Sequence, residues 1–202
     1  MIVTISNEYG SGAVAIAARA AQALGYELID RQLPVVVAKR LSVTPEEVEA
    51  GEDTGRSVGE RLLTGLELAT PELAAQSAQE PFDEELLRAV QTAIREYAAR
   101  GNAVIVGRAA GIVLGARPDV VRVFMHAPRD WRVARVVESL GVDERTAGGE
   151  IDRVDRARAA HVRDWYGATF GDSRLYDLSI DTRTFGAQSS AALIVAAVRS
   201  RA

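Results

Sequence analysis

The opening stretch MIVTISNEYGSGAVAIAARAAQAL, residues 1–24, decides the fold. Residues 2–6 form a nearly continuous apolar run, which is typical of a strand buried on both faces of a sheet. The glycine-rich turn NEYGSG at residues 7–12 follows, and the alanine-rich pattern at 14–24 predicts a helix that begins near Ala13. A turn between a strand and a helix exposes backbone N–H groups at the helix N-terminus, so this unit favours phosphate. A tight turn without a ligand is the alternative.

The rest of the chain repeats the alternation of strand and helix. Further apolar runs predict strands at residues 26–29, 103–106, 120–125 and 178–181. Helical patterns cover residues 82–100 and 128–140. Such alternation indicates βαβ units and a parallel sheet with helices on both faces. We therefore expect a three-layer α/β domain.

Composition limits the possible functions. A chain of 202 residues can bury one domain core, and the absence of cysteine excludes disulfides and thiolate metal sites. Two histidines, His126 and His161, are too few for a His-based zinc centre, so we expect no protein metal site. A net charge of −4 argues against a general affinity for nucleic acid. The apolar runs are too short to span a membrane and no leader pattern opens the chain, so we expect a cytoplasmic protein.

Two charged stretches stand apart from the sheet pattern. Residues 42–81 are acidic and carry no strand pattern, and they predict either the helices of a mobile inserted subdomain or a long helical crossover. Residues 129–163 carry many arginines and aspartates at helical spacing. Arginines in such a pattern either form a solvated helix face or provide an anion site.

Two nucleotide motifs compete for the first loop. Residues 10–15 fit the G-x-G-x-x-A dinucleotide pattern. Asp30 ends the second strand, where such folds have the acidic residue that binds the ribose of the dinucleotide. In the dinucleotide pattern, however, the first glycine follows the strand at once, whereas three residues intervene here. That longer loop favours a P-loop that wraps a phosphate. The predicted phosphate-binding residues are Asn7, Gly10, Ser11, Gly12, Ala13 and Val14.

The loop lacks the side chains that give a P-loop its chemistry. Against G-x-x-x-x-G-K-[ST], Asn7 replaces the first glycine, Ala13 the lysine and Val14 the hydroxyl residue. The lysine normally neutralises phosphate charge and the hydroxyl normally holds Mg²⁺. The loop can therefore cradle a phosphate but cannot transfer it in the usual way unaided.

Several segments point to one known family. Residues 104–111 read VIVGRAAG, and residues 5–12 read ISNEYGSG. Other informative segments are 116–119 (ARPD), 120–125, 127–132, 152–158 (DRVDRAR) and 176–182 (YDLSIDT). Together they resemble the cytidylate kinases, which end a strand in Gly-Arg-Asp-x-Gly, and especially a divergent branch whose first loop reads S-R-E-Y/F-G-S-G-G. The resemblance covers most of the chain except the acidic stretch.

The resemblance implies an architecture and a ligand set. The fold would be of the P-loop kinase type, a single domain with a five-stranded parallel sheet, helices on both faces, a helical insert at 42–81 and an arginine-rich lid at 129–163. The core would comprise residues 1–41 and 82–202. The expected ligands are small nucleotides, namely Mg²⁺ with ATP or another nucleoside triphosphate as donor and CMP, dCMP or a related acceptor.

The resemblance also implies roles for individual residues. Arg108 would bind the phosphate of the acceptor, and the lid residues Arg132 and Arg135 would close over the transferring phosphates as catalytic groups. Asp155 and Arg158 would bind the cytosine and its phosphate, and Asp30 would also bind the acceptor. Two positions depart from the family pattern, because the Asp of Gly-Arg-Asp is Ala109 and an arginine after the second strand is Val36.

Three functions remain open at this point. The first is phosphoryl transfer to CMP or a related acceptor, with low activity because the P-loop lysine is absent. The second is a pseudo-kinase that binds nucleotides as a sensor or scaffold without transfer. The third is a dinucleotide-dependent oxidoreductase, in which the Gly107-Arg108 strand end and the arginine-rich stretch would have no role.

Overall fold

A computed structural model describes residues 1–30, 32–41 and 79–201 of the chain. Its elements are β1 (Ile2–Asn7), α1 (Ala13–Leu24), β2 (Glu27–Ile29), α2 (Gln32–Leu41), α3 (Gln79–Arg100), β3 (Ala103–Val106), α4 (Ala110–Leu114), β4 (Val120–His126), α5 (Arg129–Leu140), α6 (Glu144–Tyr166), a 3-10 turn (Ser173–Leu175), β5 (Leu178–Asp181) and α7 (Thr182–Arg199). The predicted insert at 42–81 lies outside the described residues except for its last three positions, which belong to α3.

The described strands form one five-stranded sheet in the order β2-β3-β1-β4-β5. All pairings are parallel, and β1 lies between β3 and β4, with Ile2 opposite both Ala103 and Val120. This confirms the predicted parallel sheet. In the dinucleotide fold β2 lies beside β1, whereas β3 separates them here. The strand order therefore does not support the oxidoreductase interpretation.

Helices cover both faces of the sheet, which explains the continuous apolar character of the strands. On one face Ile2, Ile29 and Ile105 pack with α2, α3 and α4. On the other face Val3 and Ile5 pack with α1 and α7. Successive residues of β1 thus point to opposite cores, as expected for a pleated strand. Each fully buried Ile or Val of this kind stabilises the fold by about 1.5–3 kcal/mol.

A third, smaller core joins the arginine-rich region to the glycine loop. Val136 of α5 packs with Ala147 and Ile151 of α6, and Tyr9 of the loop packs against them. The predicted lid region is therefore a helical pair seated on the loop. In the described parts of the chain, no helix combines the length and apolar character that crossing a membrane requires.

Candidate functional site

The glycine loop connects β1 to α1 at the carboxyl edge of the sheet. Gly10 and Gly12 adopt positive φ angles of 79° and 81°, which non-glycine residues rarely adopt. A Cβ atom on Gly10 would lie 3.0 Å from Val136 Cγ2 and 3.1 Å from the Arg132 carbonyl oxygen. Gly10 is therefore required both for its backbone conformation and for the close approach of α5.

Side chains from α5 and α6 hold the loop from outside. The Arg132 side chain, in a residue only 6% exposed, donates from Nη1 to the Tyr9 carbonyl at 2.9 Å and to Asp155 Oδ2 at 2.7 Å, and from Nε to the Ala127 carbonyl at 3.0 Å. Asp155 Oδ1 accepts a hydrogen bond from the Tyr9 amide at 2.8 Å. Glu8 Oε2 lies 3.3 Å from Arg132 Nε and accepts from the Ala127 amide. We call Arg132, Asp155 and Glu8, with the Tyr9 backbone they hold, the loop clamp.

The turn after β3 lies beside this loop. Gly107, Arg108 and Ala109 have consecutive positive φ angles of 77°, 58° and 52°. For non-glycine residues that conformation costs roughly 1–2 kcal/mol each, and such strain clusters at functional sites. The Gly107 amide donates to the Ile5 carbonyl at 2.7 Å, which ties the turn to β1. We call residues 107–109 the β3 turn.

A cavity of about 640 Å³ opens between the loop, the β3 turn and α6. This volume lies within the usual range for small-molecule sites. It is lined by Ser6, Asn7, Tyr9, Gly10, Gly12, Ala13, Val14, Ala15, Asp30, Val106, Gly107, Arg108, Ala109, Ile112, Arg158, His161, Val162, Phe170 and Tyr176. The position, at the carboxyl ends of parallel strands, is where open α/β sheets bind their ligands.

Most of the residues predicted for the site meet at this cavity. Asn7, Gly10, Gly12, Ala13, Val14, Asp30, Arg108 and Arg158 line it. Arg158 also donates from Nη1 to the Asn7 carbonyl at 2.7 Å, which joins α6 to the end of β1. The glycine loop was placed here by its position after a strand, and Arg158, which lies within α6, was placed here by the family resemblance.

The other predicted residues lie beside the cavity and not on its wall. Ser11 is 1% exposed, and its Oγ has no hydrogen-bond partner among the described residues. Arg132 and Asp155 belong to the loop clamp. Arg135 is exposed, and its guanidinium lies against Gly12.

Sequence reasoning missed part of the wall, above all His161, which it considered for a zinc centre and did not include among the site residues. His161 lies one turn after Arg158 on α6, and that helical spacing was the available signal. Burial lowers the pKa of His161, Asp164 opposes this shift and Arg108 adds to it. Burial disfavours the charged form of Tyr176 as well, which raises the pKa of this phenol. Its ring stacks on that of Phe124, with 4.9 Å between the ring centroids. The wall therefore combines two arginines with a largely buried imidazole and aromatic rings.

The loop does not fit a magnesium ion held by the protein in the usual way. Val14 occupies the position of the hydroxyl ligand and is 51% exposed. Among the described residues, no three carboxylates or histidines come together as a metal-binding group. We therefore derive no chemical step from a metal held by these side chains.

Comparison with known proteins identifies the family. The family model described as "Cytidylate kinase-like family" matches residues 2–184. The chain belongs to the cytidylate kinase-like family. Relatives in this family include a cytidylate kinase of Natronomonas pharaonis, 27% identical, with 100% of this chain and 91% of the relative covered. A cytidylate kinase of Halobacterium salinarum is 28% identical over 98% of this chain and 89% of its own.

Solved structures show the same fold as this family member. An uncharacterized protein from Eubacterium ventriosum superposes with a TM-score of 0.70 at 23% identity, and 99% of each chain is covered. A shikimate kinase from Bacteroides thetaiotaomicron gives a TM-score of 0.52 at 13% identity, with 98% of each chain covered. The architecture is thus the predicted P-loop kinase type.

Proposed function

We propose that this protein is a nucleoside monophosphate kinase that transfers a phosphoryl group from ATP or another nucleoside triphosphate to CMP, dCMP or a related acceptor. The observation that carries the proposal is the cavity in which the glycine loop faces Arg108 and Arg158. Membership of the cytidylate kinase-like family supports the same activity. An oxygen of the acceptor phosphate attacks the γ-phosphorus, and the bond to the β–γ bridging oxygen breaks. The electron pair leaves with ADP, and the acceptor becomes a diphosphate.

The two sides of the cavity suit the two substrates. The backbone N–H groups at the start of a helix can donate to an anion, and the helix dipole adds a partial positive charge. The start of α1 therefore favours the phosphates of the donor. Arginine forks match phosphate oxygens in a bidentate manner. We therefore assign Arg108 and Arg158 to the acceptor phosphate and the loop to the donor. Asp30, on the wall at the end of β2, would contact the acceptor nucleoside.

The clamp supports this assignment by fixing the loop before a ligand arrives. Both carboxylate oxygens of Asp155 are engaged, one with the Tyr9 amide and one with Arg132. We propose that Asp155 acts by positioning the loop. Preorganised donors of this kind stabilise a transition state without a reorganisation cost. The family resemblance implies that Mg²⁺ would enter the site bound to the phosphates of the donor.

A ligand panel tests the function. Thermal denaturation with CMP, dCMP, UMP, AMP and GMP, each paired with its nucleoside, should show stabilisation by one or two monophosphates and none by the nucleosides. A ligand at a hundred times its dissociation constant stabilises by about 2.7 kcal/mol. ADP release from ATP and Mg²⁺ should then depend on the same monophosphate. Binding without any ADP release would instead identify a pseudo-kinase, and no binding at all would reject the assignment of the cavity.

A further inference from the structure

We propose that Arg135 supplies the positive charge that a P-loop lysine would supply at position 13, where this chain has alanine. The inference rests on the proposed function, because it assigns the group that neutralises the donor's phosphates. It distinguishes two arginines that lie less than one helical turn apart on α5, Arg132 and Arg135. The observations that carry it are the placement of the Arg135 guanidinium, its neighbours and the engagement of Arg132.

The Arg135 guanidinium lies over Gly12, directly before the first residue of α1. A Cβ atom on Gly12 would lie 3.2 Å from Arg135 Nη2, 3.6 Å from Cζ and 3.7 Å from Nε. Three atoms of the planar group therefore approach one point of the loop. Ala13, where a P-loop keeps its lysine, is the next residue. The guanidinium thus lies beside the place where the lysine charge would be needed.

Electrostatics makes this position informative. The N-terminus of a helix carries a partial positive charge, so a cation placed there is unfavourable unless an anion lies between them. Among the described residues, no carboxylate forms an ion pair with Arg135. Instead its Cζ lies 4.8 Å from the centre of the Trp131 ring, four residues earlier on α5. The ring holds the cation near the loop without neutralising it.

Arg132 cannot take this role while the loop is in its observed shape. Its Nε and Nη1 donate to two backbone carbonyls and to Asp155, and the residue is almost fully buried. Freeing it would leave Asp155 without its charged partner. Arg135 is exposed and can follow a phosphate with little loss of structure. The two arginines therefore have different roles, since Arg132 positions the loop and Arg135 contacts the phosphates of the donor.

Binding of inorganic tripolyphosphate tests this contact without requiring catalysis. Calorimetry should show that Arg135→Gln weakens binding about 10- to 100-fold, the usual worth of hydrogen bonds to a charged group. The matched control is Arg199→Gln, because Arg199 is exposed and lies far from the glycine loop. Its neighbour Arg201 donates a hydrogen bond to the carbonyl of Val120, the first residue of β4, at the opposite edge of the sheet. The control should change affinity by less than about two-fold, because remote charges are screened. Equal losses in both variants, or a wild-type protein that binds no tripolyphosphate, would overturn the proposal.

Single-turnover transfer to the acceptor found by the ligand panel tests the catalytic part. Arg135→Gln should slow transfer by about 100-fold or more, with acceptor affinity and melting temperature unchanged, and Arg135→Lys should retain part of the rate. Adding Ala13→Lys to Arg135→Gln should recover at least about ten-fold of the loss, since the charge returns to the loop. A wild-type rate in Arg135→Gln, or no recovery in a folded double variant, would overturn the replacement while leaving the kinase function intact. Arg135-dependent tripolyphosphate binding without transfer by the wild-type protein would reject the kinase and retain Arg135 as a phosphate ligand.

Discussion

The glycine loop and the β3 turn lie side by side at one edge of the sheet, yet they keep their shapes by different means. The loop is held by side chains of other helices, chiefly Arg132 and Asp155. The β3 turn, which contains three left-handed residues, is instead held by backbone hydrogen bonds, among them that of the Gly107 amide to the Ile5 carbonyl. The shape of the loop therefore depends on contacts with α5 and α6. In the turn, by contrast, Arg108, which we propose binds the acceptor phosphate, is itself one of the strained residues.

The largest effect is expected from breaking the loop clamp. Arg132→Met should lower the free energy of unfolding by about 3 kcal/mol, because it removes a nearly buried guanidinium with its hydrogen bonds and leaves the partly buried Asp155 without its charged partner. Urea denaturation would measure the loss. The control is Arg129→Met, which also breaks an α5–α6 ion pair, in this case with Asp152. There both side chains are about half exposed, so the loss should be far smaller. Similar losses in the two variants would mean that the clamp does not hold the loop.

A substitution at Gly10 tests whether the loop needs glycine for the close approach of α5 as well as for its positive φ angle. Gly10→Ala should cost about 2–3 kcal/mol, of which roughly 1–2 kcal/mol is the positive φ and the rest the contact with α5. Gly141→Ala isolates the first contribution, because Gly141 has a φ of 66° and nothing within 4 Å of an added Cβ. It should cost only about 1 kcal/mol. Thermal or urea denaturation of the pair gives the difference, and equal costs would remove the argument from packing.

Arg108 tests the chemistry of the β3 turn. Arg108→Gln should weaken binding of the acceptor monophosphate about 10- to 100-fold, since it removes a charged fork. Arg108→Lys should give an intermediate loss, because lysine keeps the charge but not the bidentate geometry. Calorimetric titration with the monophosphate and with its nucleoside separates phosphate recognition from base recognition. Unchanged affinity in Arg108→Gln would show that the acceptor phosphate lies elsewhere in the cavity.

The smallest expected effect is a pH dependence at His161, beside the β3 turn. Burial lowers the folded pKa of His161 below its ordinary value of 6.5, so the unfolded chain binds the proton more readily. The contribution of His161 to the free energy of unfolding is therefore complete above pH 6.5. It declines as the pH falls from 6.5 toward the lowered pKa of His161 in the folded protein. Denaturation curves between pH 7 and about pH 5.5, above the range where carboxylates titrate, should show a shallower decline for His161→Gln than for the wild type. Parallel declines would indicate that another group is responsible.

The sheet could be predicted from sequence because strands buried on both faces leave uninterrupted apolar runs. Ala103–Val106 and Leu178–Asp181 have the predicted bounds, and the predicted β1 and β4 each extend by one residue. Arg108 was indicated by the family resemblance, and it follows a buried strand at the edge of the sheet where ligands bind. Secondary structure and strand ends together therefore located most of the cavity.

The loop clamp and the β3 turn could not be predicted in the same way. The Tyr9–Asp155 hydrogen bond joins residues 146 positions apart, and no local pattern records such a contact. The left-handed conformation of Arg108 and Ala109 leaves no sequence signal, because glycine is the residue that normally marks it. Which arginine of α5 is buried depends on how that helix packs on the loop. These features follow from tertiary contacts alone.

The central place of β1 has a consequence for how the protein comes to fold during synthesis. Among the described strands, β1 pairs with β3 and β4, which begin about a hundred residues after it. At roughly 5–20 residues per second, the chain extends for about 6–24 s before both partners exist. During that interval the apolar residues of β1 and α1 have no sheet to join, and they form a target for chaperones or for aggregation. The central position that buries β1 on both faces in the finished protein thus leaves it unpaired in the nascent chain until β3 and β4 have emerged.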